Sequence, residues 1–508
     1  MKKLFLNLAI NTCWLPLLAL QPGVCGLGQA YAAITEVNVY TSGTEGYNIF
    51  RIPTIVKAAN GDLLAFAEAR SGGDASSIDI VVKRSVDSGA TWGGLNVVMD
   101  NADFEQYFPS GNIPEVTVGN QSPVVDLLDP VHPGRIWMPF TLENDRVFVT
   151  YSDDNGASWA PQAEITSTAK DPSWGWYATG PVHGIQLERG DNAGRLIIPS
   201  DHSLSGVASS GAHVLYSDDH GQSWQLGAVE TGITASSNTS PNENVAVELV
   251  DGRVYFNARD RNSANPGTRS VTYSSDGGLT YDGRFKHETG ITSPVVQNSA
   301  LRFRAVDQGD DQNIILYSGP SHPSKRVDLT IRASLDESAN WTQETIIHSG
   351  PAAYSDLVKL NQDQFGVLFE AGDSLYDEIL FATVDYSDLN PSVWNGIQGD
   401  VNQSGALDAA DLPYFVSVWN PAPGVTYEGQ EVSYLHGDLN FNGHNDLEDV
   451  FLMRQALLAA GIPPRALGAL LQVPEPSAGI SLGIFLFSIT ASLSRRRGKE
   501  RQDRERHN

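Results

Sequence analysis

Cysteine is nearly absent from this chain: only two of its 508 residues are cysteines, and both lie in the first 32. Residues 1–32 have the order of a secretory signal peptide, with two lysines, then apolar runs, and small residues for cleavage at 30–32. Without that segment the chain has no thiol and no disulfide. We therefore expect a protein exported to the cell envelope or beyond, stabilised by its core or by bound metal ions.

Positive charge is also scarce, because 33 basic residues face 60 acidic ones and the formal net charge is −27. Such a surface repels nucleic acid and anionic lipid, so we expect no nucleic-acid partner. Long helical patterns are scarce too, whereas glycine (48 residues) and tryptophan (10 residues) are frequent. The composition therefore predicts an all-β globular protein of many short strands and turns.

An eight-residue pattern, Ser-x-Asp-x-Gly-x-x-Trp, recurs five times, with Tyr281 for Trp in the fourth copy and Ser338 for Gly in the fifth. The copies start 67, 65, 57 and 60 residues apart, at residues 85–92, 152–159, 217–224, 274–281 and 334–341. In each, the Asp and Ser side chains can bond the backbone of a hairpin turn while the aromatic residue packs beneath the strands. The near-regular spacing predicts a repeated four-stranded unit, as in a β-propeller, rather than chance turns in a β-sandwich.

An arginine interrupts the stretch "YNIFRIPTI" (residues 47–55), which otherwise has the apolar, β-branched composition of a buried strand. A guanidinium group stays charged and is costly to bury alone, so Arg51 must face either an internal acid or a negatively charged ligand. Arg259, at the end of "VYFNARD", and Arg326, before "DLTIRAS", are in similar settings. Taken singly, Arg259 could equally be a surface residue, and Arg326 could pair with Asp328.

The segments "FRIP" (50–53), "NAR" (257–259) and "YSDL" (354–357), together with the five boxes, resemble the exo-α-sialidase (neuraminidase) family over about residues 36–389. The resemblance implies a six-bladed β-propeller over residues 34–390 with the active site at its centre. It also implies that sialylated glycans are the partners of this site.

The resemblance assigns a role to nine residues. Those that would bind the sugar are Arg51, Arg259 and Arg326 on its carboxylate, Glu370 behind Arg51, Arg70 on the C4 side, and Trp176 on the acetamido and glycerol side. Those that would carry the chemistry are Asp74 as acid/base, Tyr354 as nucleophile, and Glu243 as the base that activates it. Taken alone, Asp79 is a rival to Asp74 for the acid/base role. Glu248 is likewise a rival to Glu243.

These residue types suit a sugar acid. Guanidinium groups bind a carboxylate in bidentate fashion and remain charged at any relevant pH. A neutral phenol avoids the repulsion that a carboxylate nucleophile would meet, but its pKa of about 10 demands a general base. Sialidases with a Tyr nucleophile are a recognised exception to the two-carboxylate scheme of glycosidases. Two displacements on one face imply retention of configuration, and the chemistry needs no metal.

A second unit, at residues 397–462, contains two twelve-residue loops with oxygen-bearing side chains at positions 1, 3, 5, 9 and 12 and glycine at position 6. This spacing suits Ca²⁺, and an apolar run after the second loop predicts a helix. The candidate ligands are Asp400, Asn402, Ser404, Asp408 and Asp411 in the first loop and Asp438, Asn440, Asn442, Asp446 and Asp449 in the second. The pair resembles an α-helical dockerin module, for which a cohesin-like domain is a candidate partner. Solvated acidic turns are the alternative.

The last unit, residues 473–508, resembles a Pro-Glu-Pro C-terminal sorting signal: "VPEPS" precedes the apolar run 478–494 and three arginines. We expect a hydrophobic helix that is recognised and removed at the membrane. A plain membrane anchor is the competing interpretation.

The sequence therefore predicts an exported exo-α-sialidase that hydrolyses terminal α-linked sialic acids with retention. A trans-sialidase, an enzyme that releases anhydro-sialic acid, or one that acts on a related nonulosonic acid would share this site. A non-catalytic sialic-acid-binding propeller would need the arginines but not Tyr354 with Glu243. In a further alternative, a scaffolding envelope protein, the C-terminal units would dominate.

Overall fold

The computed structural model describes most of the chain between residues 34 and 464, and all the described residues belong to one compact unit that begins at Ile34. The described ranges are 34–108, 115–204, 210–230, 238–261, 267–288, 290–310, 312–342, 345–389, 399–401, 407–419, 437–439 and 447–464. The predicted signal peptide (1–32) and sorting tail (473–508) lie outside them. Within the described ranges, no helix is long and apolar enough to cross a membrane.

Twenty-five strands of the described residues form five antiparallel sheets, here numbered I to V. Sheet I contains β2 (Ile49–Lys57), β3 (Leu63–Arg70), β4 (Ile78–Ser85) and β5 (Asn96–Met99). Sheet II contains β6 (Val118–Gly119), β7 (Val124–Asp126), β8 (Arg135–Leu142), β9 (Arg146–Ser152) and β10 (Ala163–Glu164). Sheet III contains β11 (Trp174–Thr179), β12 (Ile185–Gln186), β13 (Leu196–Leu204), β14 (Ser210–Ser217) and β15 (Gln225–Val229).

Sheet IV has four strands, β16 (Pro241–Glu248), β17 (Val254–Asp260), β18 (Arg269–Ser274) and β19 (Lys286–Glu288). Sheet V has seven, in the order β1-β25-β24-β23-β22-β21-β20. Its strands are β1 (Thr35–Thr41), β20 (Ser299–Arg304), β21 (Ile314–Pro320), β22 (Val327–Ser334), β23 (Thr345–Lys359), β24 (Gln364–Ala371) and β25 (Glu378–Asp385). The first strand of the described chain thus pairs with its last, which ties the two ends of the β-rich part together.

The all-β, propeller-like architecture is confirmed, but the prediction of six separate blades is wrong. Four sheets of four or five strands are accompanied by one of seven. The physical reason is that β23 runs unbroken for 15 residues. Its first part pairs with β22, as in Ile331 opposite Thr345, and its second part pairs with β24, as in Lys359 opposite Phe365. A backbone that is hydrogen-bonded on both halves merges what would otherwise be two sheets.

Each of the five boxes is a turn between two consecutive antiparallel strands, as predicted. The strand pairs are β4–β5, β9–β10, β14–β15, β18–β19 and β22–β23. In the third box, Ser217 Oγ accepts a hydrogen bond from the Gly221 amide at 2.8 Å and donates one to Asp219 at 2.8 Å. Gly221 has a φ of 79°, and a Cβ there would lie 2.1 Å from the ring of Trp137 in sheet II. The box glycine is therefore required both by the left-handed turn and by close packing on the neighbouring sheet.

Buried side chains on the facing sides of adjacent sheets form the core. All eight residues of β3 are buried. Leu64 and Phe66 of this strand share one apolar cluster with Met138 and Phe140 of β8. Strands buried on both faces read as continuous apolar runs, which is why sheet I shows little polar alternation.

Helices are few among the described residues. The β-rich part has a short α-helix, Thr166–Ala169, and 3₁₀ turns at Asn101–Tyr107, Gly190–Asn192, Val306–Gln308 and Tyr386–Leu389. Further along the chain lie the α-helices Asp411–Val418 and Leu447–Ala459, the second of them at the predicted place after the second loop. Val401, Leu412, Phe415, Val450 and Met453 belong to their shared apolar cluster.

The proposed Ca²⁺ ligands are only partly described. Those at loop positions 1 and 12, Asp400, Asp411, Asp438 and Asp449, are fully buried, and Asp408 is exposed. The others, Asn402, Ser404, Asn440, Asn442 and Asp446, lie outside the described residues. Ion binding therefore stays a prediction.

Candidate active site

A cavity of about 590 Å³ opens where residues from all five sheets and their loops converge. Eight of the nine predicted site residues line it: Arg51, Arg70, Asp74, Trp176, Glu243, Arg259, Arg326 and Tyr354. The ninth, Glu370, is fully buried and contacts Arg51. Residues up to 319 positions apart in the sequence are thus brought to one place.

A bulge in β2 turns the Arg51 side chain toward this cavity. The pairing of β2 with β3 shifts register between Arg51 and Thr54, and Ile52 has a φ of 57°. A left-handed conformation is strained for a β-branched residue and needs support from its surroundings. The Ile52 amide donates to Glu370 Oε1 at 3.0 Å, and its carbonyl accepts from Gln121 Nε2 at 2.7 Å. Bulges of this kind are common beside active sites because they redirect a side chain.

Arg51 faces both an internal acid and the cavity. Its Nε donates to Glu370 Oε1 at 2.8 Å and its Nη2 to Glu370 Oε2 at 3.3 Å. Its Nη1 lies 3.7 Å from Asp74 Oδ1, on the cavity side. Tyr376 also covers the guanidinium group, with 3.8 Å between the ring centroid and Cζ. Glu370 therefore fixes one edge of the fork and leaves the other directed at a ligand.

The other two arginines approach the same region from sheets IV and V. Arg259 Nη1 donates to Glu243 Oε2 at 2.7 Å and to the Tyr354 hydroxyl at 2.9 Å. Arg326 donates to the Tyr376 hydroxyl at 2.7 Å, and its Cζ lies 5.6 Å from the centroid of the Tyr354 ring. No carboxylate of the described residues pairs with Arg326, and Asp328 accepts from the Gly350 amide instead. Arg326 is therefore a cation that lines the cavity and forms no ion pair with a carboxylate within the described ranges.

The Tyr354 hydroxyl donates to Glu243 Oε1 at 2.5 Å, and both residues are less than a tenth exposed. Burial, reinforced by the charge of Glu243, raises the pKa of Tyr354 well above its usual value. Burial alone would raise the pKa of Glu243, but the charge of Arg259, the hydrogen bonds from Tyr354 and Arg259, and the charge of Arg326 together outweigh it, and the pKa is lowered. The resting pair is thus a neutral phenol beside a carboxylate, which is the protonation state that base-assisted attack requires.

Asp74 stands at the mouth of the cavity, in the turn after β3, with 86% of its side chain exposed. Its Oδ1 accepts a short hydrogen bond from Arg70 Nη1. Surrounding protein removes part of the hydration of Asp74 and so opposes its ionisation, but the hydrogen bond and charge of Arg70, followed by the charge of Arg51, hold the pKa of Asp74 below its usual range. Arg70 is in turn fixed by Glu68, whose Oε2 accepts from Arg70 Nε at 3.0 Å.

The two rival acids have structural partners and do not line the cavity. Asp79 accepts a hydrogen bond from the Tyr47 hydroxyl at 2.7 Å. Glu248 accepts from the Glu188 and Arg189 amides, both at 3.0 Å, and from Arg189 Nη1 at 2.8 Å. These contacts favour Asp74 and Glu243 as the acids that meet a ligand.

Sequence reasoning missed several cavity residues. Among them are Glu68, Asn120, Asn242, Arg261 and Tyr376. Tyr376 comes from the loop before β25 and binds Arg326, which lies 50 positions away. Glu68 could have been found from the alternation of β3, because Glu68 and Arg70 lie two residues apart on one face of that strand. The sequence around Tyr376 carries no comparable signal.

Known proteins that resemble this chain include several sialidases. The chain matches the family described as BNR repeat-like domain over residues 61–367. It is 31% identical over 367 residues to a sialidase of Micromonospora viridifaciens, and this match covers 67% of this chain and 53% of that protein. It is 30% identical over 385 residues to Sialidase-2 of Rattus norvegicus, and this match covers 69% of this chain and 95% of that protein.

Among solved structures, the chain resembles the Hadza microbial sialidase Hz136, with a TM-score of 0.60 and 26% identity. That match covers 70% of this chain and 69% of the other. The chain therefore spans about half the length of the Micromonospora protein and nearly all of the rat protein.

Proposed function

Because the chain belongs to the BNR repeat-like sialidase family, we propose that it is an exo-α-sialidase, a glycoside hydrolase that removes terminal α-linked sialic acids from glycans with retention of configuration. The observation that carries this proposal is the 2.5 Å hydrogen bond between Tyr354 and Glu243 inside a cavity lined by arginines. A phenol paired with a carboxylate has no role in simple anion binding. Beside an anion clamp, it suits attack on a sugar that is itself negatively charged.

The clamp is formed by Arg51, Arg259 and Arg326. Each of these groups keeps its charge at any relevant pH, and a planar fork matches the two oxygens of a carboxylate. Arg51 is fixed by Glu370, whereas Arg326 is held only by hydrogen bonds to neutral groups among the described residues. An arriving carboxylate would therefore supply the counter-charge that Arg326 lacks.

In the first step, the Tyr354 oxygen bonds to the anomeric carbon while its proton passes to Glu243. Asp74 gives its proton to the departing glycosidic oxygen. In the second step, Asp74 takes a proton from water, the water oxygen displaces Tyr354, and Glu243 returns the proton to the phenolate. Two displacements on the same carbon restore the original configuration.

Substrate binding itself prepares Asp74 for the first step. In the free protein, Arg70 and Arg51 favour its ionised form, which cannot donate a proton. A substrate carboxylate on the clamp adds a negative charge beside these groups. A nearby like charge raises the pKa of a carboxyl group, so binding shifts Asp74 toward its protonated form.

The test is incubation of the full chain with a fluorogenic α-sialoside, followed by identification of the released sugar by NMR. We expect sialic acid, released first as the α anomer. Tyr354→Phe should lower kcat by about 10³-fold or more, on the scale of losing a catalytic nucleophile, while sialic acid still binds. Asp74→Asn should also lose turnover, and its control Asp79→Asn should keep it.

A wild-type protein that binds sialic acid without cleaving any sialoside would contradict the proposal and favour a binding propeller. Release of an anhydro sugar, or transfer of sialic acid to a second sugar, would keep the site but change the reaction.

We also propose that the unit at residues 397–462 is a dockerin-like module that binds Ca²⁺ structurally. The acids at loop positions 1 and 12 are buried, as ion ligands are. In the second loop, Asp449 Oδ1 accepts from the Leu439 amide at 2.8 Å, which joins the two ends of the loop. We propose, from the sequence alone, that the protein is exported through the signal peptide and sorted by its C-terminal segment.

A further inference from the structure

Away from the cavity, two aspartates and a histidine meet at the junction of sheets II and III. Asp126 ends β7, Asp129 follows in the next turn, and His220 belongs to the third box. One potential ligand atom from each lies within 4.8 Å of the other two. His220 Nδ1 is 2.9 Å from Asp126 Oδ2.

The two aspartates of this cluster are buried, and each is held in place by hydrogen bonds from nearby amides. Asp126 is fully buried, and its Oδ1 accepts from the Gln186 amide group and from the Leu128 amide. Asp129 is 6% exposed, and its Oδ1 accepts from the amides of Val131 and His132. Among the described residues, no donor contacts Asp129 Oδ2. His220 and His132 are the basic groups near Asp129, and neither carries a permanent charge, whereas buried carboxylates are normally paired with a cation or bound to metal.

The fifth box shows how an equivalent contact is completed by a cation. Glu337 occupies the same box position as His220, and both residues have a positive φ. Glu337 accepts from the Val250 amide in sheet IV's β16–β17 loop and from both Nη atoms of Arg302. This box position therefore reaches the preceding sheet in both cases. In the fifth box an arginine supplies the positive charge, and at His220 an ion from solution would do so.

We propose that Asp126, Asp129 and His220 bind a divalent transition-metal ion, represented by Zn²⁺, which cross-links sheets II and III. Two carboxylate oxygens and one imidazole nitrogen form a mixed set that suits this class of ion. Atoms bound to one Zn²⁺ at about 2.0–2.2 Å lie roughly 3.4 Å apart. Binding therefore opens the 2.9 Å contact between His220 and Asp126 slightly and draws Asp129 toward them from a separation of up to 4.8 Å. The ion replaces any proton on His220 Nδ1, and a water molecule completes four-coordination.

Gln186 supports the site from sheet III. It holds Oδ1 of Asp126, and its own Oε1 accepts from the amides of Leu127 and Leu128 at 2.8 and 3.1 Å. Groups of this kind orient a ligand and strengthen metal binding by about 10–100-fold. Asp126 is therefore presented to an ion by both sheets.

The test uses the full chain, freed of metal with a chelator and kept in excess Ca²⁺ so that the loops at 397–462 are saturated. Zn²⁺ is then titrated by calorimetry, and Tm is measured with and without it. We expect binding of about one Zn²⁺ per chain at this site and a rise in Tm. His220→Asn should abolish the rise or weaken binding about tenfold or more, and Asp129→Asn should do the same.

Asparagine stands at the matching position of the second box, Asn155, with a positive φ, so His220→Asn should preserve the turn. The control Glu337→Gln disturbs the equivalent contact in the fifth box and should keep the full zinc response. Sialoside turnover should be unchanged in all three variants. The proposal is overturned if wild-type Tm does not respond to Zn²⁺, if His220→Asn keeps the response, or if Glu337→Gln also loses it.

Discussion

Replacing Glu370 by glutamine tests how the protein holds a charged arginine at the wall of a ligand cavity. Glu370 is fully buried and accepts four hydrogen bonds. Oε1 accepts from Arg51 Nε at 2.8 Å and the Ile52 amide at 3.0 Å, and Oε2 from Arg51 Nη2 at 3.3 Å and the Tyr354 amide at 3.1 Å. Glutamine has the same shape, but whichever way its amide is turned, its NH₂ group faces two donors. Arg51 also loses the negative charge that pairs with it.

The loss of stability in Glu370→Gln can be estimated from these contacts. Removing one partner of a buried ion pair costs about 3–5 kcal/mol. Arg51 keeps its contact with the ring of Tyr376 and is 9% exposed at the cavity, so the lower end of this range applies. We expect Glu370→Gln to lower the free energy of unfolding by about 3 kcal/mol. Removing both charges, in Arg51→Met with Glu370→Gln, should cost less than the sum of the single changes by about 2 kcal/mol.

Urea unfolding of the two single variants and the double variant, followed by tryptophan fluorescence, measures this coupling. Binding of sialic acid should weaken in Glu370→Gln as well, because Arg51 is no longer fixed. The reasoning is refuted if the two changes are additive within about 0.5 kcal/mol, since that would mean the pair is not energetically linked.

Three other results are expected. Arg70→Met should move the alkaline limb of the kcat/KM–pH profile to higher pH, because Arg70 contributes most to lowering the pKa of Asp74; an unmoved limb would contradict that role. Burial lowers the pKa of His202 to about 3 and that of His213 well below its usual value. The unfolded chain then binds protons that the folded chain does not, so stability falls as pH drops below about 6.5, by about 2 kcal/mol per histidine at pH 5. Urea unfolding of His213→Gln should show a shallower loss between pH 6.5 and 5, and an equal loss would count against this account. Calorimetry should detect about two Ca²⁺ ions per chain and about one in Asp449→Asn, with unchanged turnover; no heat of binding would exclude the loops as sites.

Much of the site could be predicted because its chemistry demands particular residue types in recognisable surroundings. Arg51 stands out as a permanent cation within an apolar strand, and the structure gives it an acid partner on one side and a cavity on the other. The five boxes are equally readable, because each turn needs its own Ser, Asp and small residue. Features that require particular residue types at neighbouring positions can be recognised in a single sequence.

The features that were missed depend on distant contacts. Tyr376 reaches Arg326 from a loop that has no distinctive pattern. The merging of two units through β23 depends on hydrogen bonds to β22 on one half and β24 on the other, which no local residue pattern reveals. The cluster of Asp126, Asp129 and His220 likewise exists only because two sheets adjoin there, 94 positions apart in sequence.

The central claim, that Tyr354 attacks the anomeric carbon, can be tested by trapping the covalent intermediate. The probe is a sialoside that has a good leaving group and a fluorine next to the anomeric carbon. The enzyme forms the covalent intermediate from this probe but hydrolyses it slowly, because the fluorine destabilises the oxocarbenium-like transition state. Digestion and mass spectrometry should place one sugar on Tyr354, and none should form in Tyr354→Phe. Attachment to Asp74 or Glu243, or turnover of ordinary sialosides with inverted configuration, would contradict the account.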